Sequence, residues 1–317
     1  GLTESTLDGW FKKTVELLKP LYEELKREVF SCDYVQVDET TVPVINREKH
    51  KADKEYLWMV RSVMERLVIF HYDGGSRAGA VIESLANQYN FKGYLQCDGF
   101  AGYETAFKAN PDVRLLNCLV HIRRHFEQAL DENREMAQHA LTQIQHIYKI
   151  ERQCDEAGLS YDERRQKRQE LARPIMEAMK VWMETEGIKY SPGSLTGKAI
   201  TYAYTKWDNI IRCLDDGRLY WDNNLAENVQ RPITLSRKNF LFCGNHEAAV
   251  NMSVICSLLA TCKAHEVNPR VYLNDVIAQM PYHKKATQEE LLNLLPHKWK
   301  LKHPECVLTR QKEESCN

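Results

Sequence analysis

From Leu7 to Val29 the apolar residues Leu7, Trp10, Phe11, Val15, Leu17, Leu18, Leu21, Tyr22 and Leu25 recur at steps of three and four. This predicts an amphipathic helix, with Pro20 as the one place where it could break. The period then changes. YVQVDETTVPVI, EYLWMVRSV and RLVIFHYD are rich in β-branched and aromatic residues and are separated by charged or turn-like segments. They predict three consecutive antiparallel strands, beginning at Tyr34. AGAVIESLANQY returns to helical spacing, GYLQCDGF to a strand, the stretch around Tyr103 to Lys108 to a helix, and VRLLNCLVH to a strand. The order βββ-α-β-α-β predicts an α/β fold with a mixed sheet, three antiparallel strands followed by a βαβ unit.

From about Ile122 to Glu186 the chain is highly charged and helix-favouring, with DERRQKRQE at its centre and no convincing strand. An all-helical insertion is expected here. SPGSLTG, residues 191–197, is a Pro/Gly/Ser break leading out of it. A helical run through TYAYTKWDNIIRCL reaches WDNNLAENVQRP, and after LSRKNFLFCGN the pattern from Ala248 to His265 predicts a buried helix. Short helices follow Asn268, and the polar end EESCN is expected to fray. The expected organisation is a lead-in helical segment (1–30), a first part of the α/β core (31–121), the helical insertion (122–197), a second part of the core (198–266) and a C-terminal helical segment with its tail (267–317).

The 317 residues are 43% apolar, ample for a packed core, and carry a formal charge of −1. There is no global basic field, so any nucleic-acid binding must come from local Lys/Arg patches. Ten Cys at irregular spacing, without a CxxC pair, signal peptide or long apolar run, suit reduced thiols in a cytoplasmic protein with no membrane span. The first residue is Gly, as in a piece of something longer.

The candidate chemistry lies in carboxylates. Asp38 is expected at the end of the first strand, in VQVDET, on the face it shares with Tyr34 and Gln36. Asp98 repeats the arrangement in LQCDGF, and Gly99 after it leaves room at that strand end. If the two strands are parallel neighbours, both acids converge on the edge where α/β sheets bind ligands. Converging carboxylates repel unless a proton or cation lies between them, and Mg²⁺ takes carboxylate oxygens. A third acid on a helix would complete a two-ion site suited to displacement at phosphorus. Taken singly, a strand-end Asp is ordinarily a turn or cap residue. Glu227 has a competing role too, because Asn224-Leu-Ala-Glu227 has the spacing of a capping box with Asn224 as N-cap.

Together, VDETTVPV, LQCDGFAGY and DGRLYWDNNLAENVQRPITLSRKNFLFCGN resemble the first-Asp motif, the second-Asp motif and the long Glu block of the IS66-type DDE transposases of bacterial insertion sequences. SLLATCKAHEVNPRVYLNDVIAQM and ELLNLLPHKW are similar to the family's C-terminal segment, so the resemblance runs from LKPLYEEL to about Trp299. It implies an RNase H-like fold with a helical insertion before the Glu-bearing helix. It implies an enzyme that cuts DNA at transposon ends and joins the 3′-OH to target DNA, using two Mg²⁺ or Mn²⁺ ions. Asp38, Asp98 and Glu227 are then the catalytic and metal-binding acids, with Asp38 bridging the ions and Asp222 left as a capping or positioning residue. The implied partners are transposon-end and target DNA, further copies of the chain in a synaptic complex, and accessory proteins of the same element. The family's end-recognition parts would lie before Gly1. One departure is Asn228, where family members commonly carry Arg, although Arg231 follows one turn after Glu227. The rival readings are an RNase H-like nuclease without strand transfer and an inert, transposase-derived DNA-binding protein.

Cys118 and His121 form a C-x-x-H, too few ligands for a structural zinc site. Cys118 is expected to pack in the core. His121 either sits near the acids, positioning DNA or water, or is an ordinary helix-start histidine. Arg123, Arg124 and His125 make one basic cluster and Arg231, Arg237 and Lys238 another, offering phosphate contacts with Asn224 and Asn239 in support. DERRQKRQE is expected to be a solvated face. Trp58, Trp182, Trp207 and Trp221 are each expected to pack rather than stack on bases, with Trp182, in the insertion, the one to test for DNA contact.

Overall fold

The structure, a computed structural model, describes residues 3–236 and 241–308, so Arg237, Lys238 and Asn239 lie outside the described residues. In chain order the elements are α1 (Glu4–Ser31), β1 (Tyr34–Asn46), β2 (Lys51–Ser62), β3 (Val68–His71), α2 (Gly79–Gln88), β4 (Gly93–Cys97), α3 (Ala101–Phe107), β5 (Val113–Asn117) and α4 (Leu119–Ala129). They continue as α5 (Arg134–Glu156), α6 (Tyr161–Lys167), α7 (Arg173–Gly187), α8 (Leu195–Ile211), α9 (Asn224–Ser236), α10 (His246–Ala264), α11 (Pro269–Gln279), α12 (Gln288–Leu294) and α13 (Pro296–Lys302). The predicted βββ-α-β-α-β order is present, in an open five-stranded sheet of order β3-β2-β1-β4-β5. β1 pairs with β2 and β2 with β3, both antiparallel. Among the described residues no helix is long and apolar enough to cross a membrane.

The chain divides into two compact units, residues 1–93 with 225–317, and residues 94–224. In the first, α1 buries the stripe Val15, Leu18, Leu21, Tyr22, Leu25 and Val29, and the Tyr22 hydroxyl donates to the Phe70 carbonyl at 2.6 Å. The helix does not break at Pro20. That residue is exposed, so the carbonyl deprived of its amide partner faces water rather than the core.

On the other side of the hairpin Val42, Val44, Leu57, Met59, Val68 and Phe70 form a core with Ala226, Ile233 and Ala249. α10 also covers the free edge of β3. Ser257 Oγ accepts from the Phe70 amide at 2.7 Å, and Thr261 Oγ1 accepts from the Val68 amide at 3.1 Å and donates to its carbonyl at 3.0 Å. Helix hydroxyls thus satisfy a strand edge that would otherwise invite pairing. Pro43 has no amide to give, but its carbonyl accepts from Cys243 N–H at 2.8 Å, and the Cys243 carbonyl takes the Ile45 amide at 2.9 Å. At the start of β4, Gly93 (φ +137°) lies so close to the Asp33 carbonyl that any side chain would collide with it.

The second unit is mainly helical between α4 and α8, with α6 passing into α7 through a π-helical turn at Arg168–Ala172. DERRQKRQE is mostly exposed, as expected of a solvated face, and Arg168 is the exception. Arg168 is buried, and its guanidinium donates to Glu151 Oε1 and Oε2 at 2.7 and 2.8 Å, and to the carbonyls of Cys213, Asp216 and Leu219 at 2.8 to 2.9 Å. All five donors of the guanidinium are used. Periodicity could not show this, because the partners are a carboxylate on α5 and a loop more than forty residues downstream. Trp58, Trp207 and Trp221 are buried as expected. Trp182 is half-buried and lies against His139 and Phe126, with ring centroids 4.6 and 6.3 Å apart.

Candidate active site

Asp38 is not at a strand end. β1 runs on to Asn46, because VDETTVPVI stays paired with β2 down to the Asn46 and Lys51 register, and Asp38 lies mid-strand opposite Met59. Pleat alternation puts it on the face of Gln36, Thr40, Val42 and Val44, the face that Met59 shares and on which Ala226 and Ile233 of α9 pack. The side chain is half-buried, and Oδ1 accepts from the Glu39 amide at 3.0 Å.

α9 is an amphipathic helix whose Ala226, Gln230 and Ile233 are buried while Asn228 and Arg231 are exposed. Glu227 follows Ala226 by about 100° around the axis and is half-buried at the margin of this stripe. The helix begins at Asn224, so Asn224 is its first residue rather than the N-cap, and the expected Asn224–Glu227 capping box does not apply. Just before the helix, Asp222 Oδ1 accepts the Asn224 amide at 3.1 Å. The next amides are held by β1: the buried side chain of Gln36 accepts from Ala226 N–H at 3.1 Å. Arg61, opposite Gln36 on β2, reaches the Leu225 carbonyl at 3.5 Å. Two cross-strand partners therefore fix the turn that carries Glu227.

In the second unit Asp98 follows β4. Its Oδ1 accepts from the Phe100 amide at 2.9 Å, and its carbonyl accepts from Asn117 Nδ2 at 2.9 Å. Asn117 is in turn held by Asn209 of α8 at 2.9 Å. The room left by Gly99 is taken by Tyr202 of α8, whose hydroxyl a Cβ at residue 99 would strike. Burial, and then the Asp98 charge, push the Tyr202 phenol well above its ordinary range. The Tyr202 ring lies 4.2 Å from that of His125. Burial, with the charge of His121 behind it, holds His125 below the ordinary histidine range, so it is neutral at pH 7.

The segment leading to α9 is stitched to this unit residue by residue. Gln96 Nε2 donates to the Tyr220 carbonyl at 2.6 Å, Leu119 N–H to that of Trp221 at 2.8 Å, and Tyr148 to Asp222 Oδ2 at 3.2 Å. Asn223 N–H reaches Cys118 Sγ at 3.3 Å. Cys118 is buried, and its thiol is pushed up to about 12 by burial, which suits packing and not metal ligation. His121 is half-buried in the first turn of α4, with Nε2 3.4 Å from Arg124. Arg123 pairs with Glu127 at 2.9 Å on the rim of a groove of about 460 Å³ whose lining includes Ile144, Tyr148 and Arg152.

Carboxylate oxygens are the donors that hard divalent cations take, and Asp38 and Asp98 each have one oxygen fixed by a backbone amide within their own unit. Among the described residues no three His, Cys, Asp or Glu side chains already stand together as a cage for a metal ion. Gln36, Asn117, Arg168 and Tyr202 were not marked as candidates from the sequence. Gln36 and Asn117 left a trace there as lone polar residues in the apolar runs YVQV and VRLLN.

Curated relatives include three uncharacterized proteins of Sinorhizobium fredii. The protein y4hP is 28% identical over 94% of this chain and 56% of its own length, y4jD 29% over 94% and 60%, and y4qI 28% over 92% and 56%. The chain therefore spans a little over half the length of each. The family model described as IS66 C-terminal element matches residues 257–297, and the model described as Transposase IS66 family matches residues 1–251. With most of its length matched in this way, the chain belongs to the IS66 family of transposases.

Proposed function

We propose that this chain carries the catalytic part of a DNA transposase with an RNase H-like core, cutting at transposon ends and joining the freed 3′-OH to target DNA. The observation that carries the reading is the attachment of the Glu227 turn to Gln36, two residues from Asp38 on the same strand and face. Asp98 follows β4, the strand next to β1 in the sheet order. Asp38, Asp98 and Glu227 would hold two Mg²⁺ or Mn²⁺ ions. Bound there, such ions supply charge neutralisation at the phosphate and acidify the attacking hydroxyl. The chain's own part is positioning. Backbone amides fix one oxygen each of Asp38 and Asp98, Asn117 locks the Asp98 main chain, and Asp222 and Gln36 set the Glu227 turn. Arg123, Arg124 and Arg231, with the Arg237, Lys238 and Asn239 segment, would meet DNA phosphates, in a synaptic complex of several copies.

The test uses the purified protein, Mg²⁺ and plasmid DNA carrying the element's two ends. D38N, D98N and E227Q should each lower cleavage and joining by roughly 10³-fold with unchanged melting temperature. D98N at the wild-type rate would overturn the assignment. Cleavage without joining of pre-cut ends would identify a nuclease instead.

A further inference from the structure

Tyr202 has no place in the three-acid scheme, yet it lies directly on the Asp98 turn. It comes from α8, more than a hundred residues after Asp98, and occupies the space that Gly99 leaves by having no side chain. Its hydroxyl oxygen lies against the Gly99 main chain, and a phenol O–H is a hydrogen-bond donor. No described residue accepts that proton. The ring is held from the other side by His125 at 4.2 Å, and the end of β4 is pinned through Asn117 and Asn209. A half-buried phenol, seated on Gly99 and packed against His125, stands next to the turn of a carboxylate whose Oδ2 has no described partner.

We propose that Tyr202 is a further catalytic residue, donating its hydroxyl hydrogen bond to a non-bridging oxygen of the phosphate that reacts at Asp98. A preplaced neutral donor suits this task, because the oxygen gains charge as the phosphate becomes five-coordinate and the donor needs no reorganisation to meet it. His125 is the positioning residue that keeps the ring over Gly99. The proposal rests on the reading of Asp98 as a catalytic carboxylate.

Y202F keeps the ring on His125 and removes only the hydroxyl. Joining of a pre-cut end in Mg²⁺ should fall by about 10- to 100-fold, with DNA affinity and melting temperature unchanged. A second readout uses ends whose reacting phosphate carries a stereodefined methylphosphonate. On the diastereomer that lacks the oxygen facing Tyr202, the Y202F penalty should disappear, whereas on the other it should persist. A Y202F protein as fast as wild type, with D98N inert, would overturn the proposal and spare the function beneath it. So would a penalty equal on both diastereomers, which would mean that the hydroxyl supports only the fold. D98N at the wild-type rate would overturn both.

Discussion

Replacing Arg168 by Met leaves a side chain of similar length with no donors. Glu151, mostly shielded at 12% side-chain exposure, would keep Arg164 and the Trp221 indole but lose both charge-assisted bonds to Arg168. Three loop carbonyls, at Cys213, Asp216 and Leu219, would lose their donor together. Removing one partner of a buried ion pair costs about 3–5 kcal/mol, and the loop can recover part of the carbonyl loss by reaching water. At about 2–4 °C per kcal/mol, melting should fall by roughly 10 °C. R168K should recover only part of the loss, since three ammonium donors cannot serve two carboxylate oxygens and three carbonyls. The effect carries a pH signature. Burial raises the Glu151 carboxyl, but the Arg168, Trp221 and Arg164 contacts outweigh it and hold the group below its usual range. A depressed carboxyl contributes stability above its unfolded value, and that contribution is lost as pH falls through the folded value. The gap between wild type and R168M should therefore be full at pH 7 and narrow below about pH 4.5. Urea unfolding across pH 3 to 8 measures it. A loss within about 0.5 kcal/mol at pH 7, the range of an ordinary surface change, would refute the network.

Two further outcomes follow from the Glu227 helix and its approach. Q36A removes the buried acceptor of the Ala226 amide and should cost about 1–3 kcal/mol. It should slow joining more than it weakens DNA binding, and equal stability by urea titration would show that the contact is not made. Cys118, buried under Asn223 with its thiol pushed up to about 12, should resist alkylation at pH 8 in the folded protein and react once unfolded. Rapid native labelling, read by peptide mass spectrometry, would mean that the segment at residues 221–223 is not docked there.

Local pattern was enough for the elements and for the acids as candidates. Strand alternation marked β1 to β3, and the turn from period two to helical spacing marked α2, β4, α3 and β5 in order. The two Asp motifs, the long Glu block and the C-terminal segment together carried the family. What the sequence left open were properties that depend on distant partners. Asp38 is mid-strand because β2 continues to pair beyond it, and the first amides of α9 are held by Asp222 and Gln36. Nothing within a few residues of Arg168 or Tyr202 hints at their surroundings. One is buried by a carboxylate and carbonyls from two other segments, the other by the absence of a side chain at Gly99. Periodicity reports which way a residue faces within its own element, whereas burial of charge and the filling of a glycine's space are fixed only when separate elements meet.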